Sequence, residues 1–142
     1  MFLRAGLFKA PSGVEQVVGL TGKKDMETFK VTRVYTGADG HSYFDTLEYP
    51  LTDAGPIGSL SDRVKVDSLI FRKVPPGYDD WHNAPQKQFV VLLNGGVEIE
   101  TSLGEKRSFE QGELLLMEDT TGKGHRSRNL LPQERQSLFI AF

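Results

Sequence analysis

The chain is 142 residues long, 38% hydrophobic and 25% charged, with a net charge of −2 at neutral pH. That length suits one domain with a buried core; the mixed charges form neither the basic stripe nucleic acid requires nor an acidic tail. The absence of cysteine excludes disulfides, thiolate metal sites and a cysteine nucleophile, and no apolar run approaches the roughly 20 residues of a membrane span.

The opening segment MFLRAGLFKAPSG is apolar and mildly basic, but Arg4, Gly6 and Lys9 interrupt it before it reaches the length of a signal-peptide core. Residues 1–25 therefore read as an N-terminal arm, with 26–142 as the domain and a cytoplasmic setting as the expectation. From residue 28 the signals are almost all β. TFKVTRVY (28–35) alternates with the two-residue period of a half-buried strand. The turn TGADG joins it to HSYFDTLEY, so the pair reads as a hairpin. PLTDAGPIGSLSDR (50–63), with its prolines and glycines, reads as a loop. VKVDSLIFRKV (64–74), the break PPGYDD, FVVLLNGGVEIETS (89–102) and LGEKRSFEQGELLLMED (103–119) follow. After the turn TTGKG come HRSRNLL and RQSLFIAF. Short β runs divided by Gly, Pro and Asn turns predict a sandwich or barrel.

Strand parity places His82, Ala84, Gln88, Val90 and Leu92 on one face and Phe89, Val91 and Leu93 on the other. Both faces are apolar. One can fill a barrel and the other needs a second sheet or a partner subunit, which predicts a homodimer. Glu98 and Glu100 share a parity that alternates with Val97 and Ile99, and they read as a solvated face. Arg126 and Arg128 lie opposite His125 in parity and read as pointing outward. Gly-Lys-Gly at 122–124 reads as a turn, because the spacing and following helix of a phosphate loop are absent.

Residues 77–129 carry a family pattern. Gly77, His82 and Gly95 keep the spacing of a first motif, with Ala84 at its second histidine position and Gln88 at its acid position. Gly112, Gly122, Lys123, Gly124, His125 and Asn129 keep most of a second, whose proline is not kept. Over this half the chain resembles a small cupin, a single-domain double-stranded β-helix of the RmlC-like jelly-roll type, in a subgroup mostly of unknown activity. The resemblance implies an all-β barrel holding a small organic molecule. It also implies one divalent metal ion (Fe, Mn, Zn or Ni) on His82, Gln88 and His125. Substituting Asp80 for the missing histidine would restore an anionic ligand, but it breaks the spacing to Gln88 and shifts a side chain to the other strand face; the Ala84 register is preferred.

Each candidate has a structural alternative. Gln88 can instead hydrogen-bond a neighbouring histidine and fix its tautomer. Trp81 and Tyr43 sit beside polar neighbours and are candidates for the substrate pocket, with Tyr43 the candidate partner acid; most strand aromatics are core. Arg72 could clamp an anionic substrate or lie on an exposed or dimer face. The leading reading is an enzyme of oxygenase, isomerase, cyclase or lyase type acting on a small molecule, metal-dependent through His82, Gln88 and His125. Two alternatives stay open: a metal-free isomerase or epimerase with His82 or His125 as general base, and a non-catalytic binding module.

Overall fold

The computed structural model describes residues 27–142; the expected N-terminal arm lies outside the described residues. Among the described residues eleven strands form: β1 (Thr28–Thr36), β2 (Ser42–Asp53), β3 (Ser59–Ser61), β4 (Ser68–Val74), β5 (Asp79–His82), β6 (Gln88–Leu92), β7 (Gly96–Thr101), β8 (Lys106–Glu110), β9 (Leu114–Met117), β10 (His125–Asn129) and β11 (Arg135–Ala141). A single 3₁₀ turn, Gly55–Ile57, is the only helical element among the described residues, so the chain is all-β as expected. Among the described residues no helix is long and apolar enough to cross a membrane.

Two compact units are present, one of residues 30–48 and 63–142, the other including 27–29 and 49–62. In the second, the end of β2 pairs antiparallel with β3, Leu51 opposite Ser61 and Asp53 opposite Ser59. This corrects the expectation of a loop over 50–63: Pro56 and the glycines are confined to the 3₁₀ turn and its flanks, which leaves Leu51–Asp53 and Ser59–Ser61 free to pair.

The larger unit is a two-sheet jelly-roll barrel. One sheet runs β2-β1-β9-β6-β11-β4 and the other β5-β10-β7-β8. Val34, Phe44, Val90, Leu92, Leu115 and Met117 project from the first sheet, and Val97, Ile99 and Phe109 from the second, into one core. Removing these side chains from water is the main stabilising term, about 25 cal/mol per Å² of apolar surface. The parity read from the sequence holds: Ala84, Val90 and Leu92 belong to that core and Gln88 is buried beside them. On the outer face of the smaller sheet Arg128 pairs with Glu98 at 2.6 Å and Arg126 with Glu100 at 3.6 Å, so these carboxylates and arginines do face solvent.

Candidate functional site

Pairing of β5 with β10 sets His82 directly opposite His125. Cross-strand neighbours share a face, and here that face is the barrel interior: the imidazole centroids lie 4.7 Å apart with the rings at 67°. The alternating register sends Trp81 and Arg126 to the other side.

Each ring is held by a carboxylate. His82 Nδ1 lies 3.0 Å from Asp80 Oδ2, where the Asp80 side chain is well exposed. His125 Nδ1 lies 2.5 Å from Asp119 Oδ2, and both of those side chains are closed off from water. An ionised carboxylate only accepts, so the proton sits on Nδ1 in each pair and Nε2 is the free nitrogen of each ring. The other oxygen of Asp119, Oδ1, is buried without a partner, so His125 is the sole compensation for that carboxylate among the described residues. Burial, and then the neighbouring His125, hold the pKa of His82 below its ordinary value, against the opposing pull of Asp80.

The turn between Asp119 and His125 is latched to the segment WHNA. Asn83 Nδ2 donates to the carbonyls of Asp119, Thr121 and Gly122 at 3.0–3.2 Å, and Trp81 Nε1 donates to Lys123 O at 2.8 Å. Alternate residues of one short segment thus face the cavity (His82, Ala84) and clamp the turn that carries the second histidine (Trp81, Asn83).

The histidines line a cavity of about 60 Å³ with Arg72, Tyr78, Ala84, Pro85, Gln88, Val90, Val97, Ile99, Leu115, Met117, Ser127, Arg135 and Phe139. Of the candidates, His82, His125, Gln88 and Arg72 are brought together there. Trp81 and Tyr43 are not. Trp81 is a strut for the turn. Tyr43 donates its hydroxyl to Asp39 and stacks on Tyr35 at 5.8 Å, on the side of β2 opposite the core residue Phe44. Tyr78 takes the aromatic place instead, 6.5 Å from His82 between ring centroids. Reasoning from sequence missed Asp119 and Arg135. No spacing signal marked either one; each becomes a site residue only once the turn and the β11 register bury it.

As a donor set for the divalent ion implied by the resemblance, His82, Gln88 and His125 offer two neutral nitrogens and a neutral amide. No group of three or more His, Cys, Asp or Glu among the described residues could hold a metal ion, and the cavity wall adds the cations Arg72 and Arg135 without an Asp or Glu. Nothing in that wall balances a dication, so the residues do not fit a resident metal.

No family model and no curated protein matches the chain. Solved structures resemble it weakly. The protein NMB1881 of Neisseria meningitidis aligns over 51% of this chain and 69% of its own at 17% identity and a TM-score of 0.41. A putative ethanolamine utilization protein Q of Salmonella typhimurium aligns over 84% and 98% at 16% identity and a TM-score of 0.40. Drosophila melanogaster CENP-C, in a structure bound to CAL1, aligns over 95% and 88% at 14% identity and a TM-score of 0.39. The jelly-roll assignment accordingly rests on the chain's own strand pairing.

Proposed function

We propose that this protein is a cupin-type enzyme carrying out metal-free acid–base chemistry on a small organic molecule in the barrel, a proton transfer beside a carbonyl of the isomerase or lyase kind. The observation that carries the reading is the closed Asp119–His125 pair, whose free Nε2 shares a cavity with His82. Asp119 holds the His125 tautomer and compensates the imidazolium formed when Nε2 takes a proton. His82, kept neutral by burial at neutral pH, is the second proton carrier. Gln88, buried against the cavity, is a neutral hydrogen-bonding group for a carbonyl oxygen. The partner in solution is a second copy of the chain, through the outer face of β4.

The test is proton exchange in heavy water, followed by NMR across a panel of small carbonyl compounds. Wild-type protein should exchange the proton beside the carbonyl of at least one compound, before and after chelator treatment, and His125→Gln should lose the rate by about 10²-fold or more. Exchange that vanishes with chelation, together with stoichiometric metal lost in His125→Ala, would favour the metal-dependent reading. Panel compounds that bind without exchange would leave a binding module.

A further inference from the structure

Two arginines enter the cavity from neighbouring strands. In the β4–β11 ladder Arg72 stands opposite Ser137 and Val74 opposite Arg135, so Arg72 and Arg135 are diagonal neighbours on one face. Arg135 is 2% exposed and borders the cavity; Arg72 is half-buried at its edge. Neither guanidinium is paired with a carboxylate among the described residues. Arg135 donates from Nε to Asn129 Oδ1 at 2.9 Å, and Arg72 lies against the rings of Phe139 at 4.9 Å and Tyr78 at 5.3 Å.

A charge this deep without a counter-ion is costly. Burial, with the Arg72 charge adding to it, brings the Arg135 pKa down to about 10, which still leaves it charged at neutral pH. The surroundings nonetheless hold Arg135 in place. Its stem packs on Gly95, where a Cβ would stand 3.3 Å from Arg135 Cγ. Asn129, which orients its Nε, is itself fixed by Nδ2 donating to Pro75 O at 3.1 Å and by its N–H donating to Tyr78 O at 3.0 Å. The positioned fork of Arg135 leaves its terminal N–H groups for an acceptor that the described residues do not supply.

Resting on the reading of this cavity as the substrate site, we infer that the substrate is a small carboxylate, its anionic head bound by Arg135 and Arg72 and its carbon skeleton turned toward His82 and His125. The lining argues for an organic anion over an inorganic one: beyond the arginines and histidines the wall is mostly aliphatic, including Val90, Val97, Ile99 and Leu115. The volume of about 60 Å³ sets the size, several times the space one water needs and suited to an acid of a few carbons.

The probes are propionate, its neutral isostere propionamide and inorganic phosphate, titrated by NMR into the isotope-labelled full chain in a halide-free buffer of low ionic strength. Propionate should shift the signals of cavity residues and bind about tenfold or more tightly than propionamide. Arg135→Met and Arg72→Gln should each weaken propionate by about tenfold or more. If Arg135→Met fails to fold, the half-buried Arg72→Gln decides alone. The proton-exchange assay reports separately on the histidines, so the anion site and the catalytic reading can fail independently. Equal binding of propionate and propionamide, no binding of either, phosphate binding as tightly as propionate, or an unchanged Arg72→Gln would overturn the inference.

Discussion

At the scale of single residues, the two carboxylate–histidine pairs should behave differently because only one is removed from water. Asp119→Asn preserves shape but replaces an obligate acceptor with an amide that can also present a donor to Nδ1, so the His125 tautomer is no longer fixed. Proton exchange should fall by about 10²-fold or more. Asp80→Asn, at an exposed position, should cost less than about tenfold, because an exposed pair contributes little. Comparable losses in both would remove the special role of Asp119. His82 gives a second expectation. Its pKa is lowered in the folded protein, so between the folded value and the ordinary 6.5 the unfolded chain binds the extra proton. Stability is therefore full above about pH 6.5 and declines as pH falls toward the folded value, where this contribution levels off. Urea midpoints measured from pH 5 to 8 should show that decline, and His82→Gln should flatten it. His82, Gln88 and His125 were legible from sequence because motif spacing and strand parity converge on them; no motif reaches Arg72, whose strand left both an anion clamp and an exposed or dimer face open. Asp119 and Arg135 were not, since a charged residue beside a turn or at the start of a strand ordinarily meets water; only the tertiary fold buries these two.

At the scale of elements, the turn from Thr120 to Gly124 sets the distance between His82 and His125. Gly124 has φ +76°, and a Cβ there would lie 2.6 Å from the carbonyl oxygen of His82. The three nearest atoms all belong to the His82–Asn83 peptide, so no flexible side chain is there to yield. Gly112, at φ +89° with open space around it, carries the conformational demand without the collision. Gly112→Ala should accordingly cost about 1 kcal/mol, whereas Gly124→Ala should cost about 2 kcal/mol or more and displace His82. Chemical denaturation of the two variants checks the difference; equal midpoints would mean that the close approach imposes nothing. Strands whose faces differ in polarity were the readable ones: β7 alternates core residues with Glu98 and Glu100, and the facing of its side chains followed from that pattern. The β2–β3 hairpin was misread because nothing in residues 50–63 alternates. Its residues are mostly exposed, so no buried face impresses a period on the sequence.

At the scale of the whole molecule, the proposed homodimer answers to β4. It is the last strand of its sheet among the described residues, so one backbone edge has no neighbour. On its outer side Leu69 is 52% and Phe71 80% exposed, with Leu93 nearby at 44%. Phe71, Leu93 and Leu138 border a recess of about 400 Å³. A monomer that kept this face in water would carry an edge strand and an apolar patch together, the combination that soluble proteins cover or charge. In the proposed homodimer a second copy would cover both at once, because two β4 edges related by a two-fold axis run antiparallel and present the same surface to each other. The arrangement also bears on the cavity: Arg72 lies on this strand between Phe71 and Lys73 and points inward, so an interface that holds β4 in register holds the outer arginine of the anion site. Sedimentation should show a dimer for wild-type chain and a monomer for the double variant Leu69→Lys, Phe71→Glu, both changes lying on the exposed face and leaving the core intact. The monomeric variant should bind propionate more weakly than wild type, by about threefold or more, without losing its β circular dichroism. A wild-type chain that sediments as a monomer at all concentrations would leave β4 without its second copy.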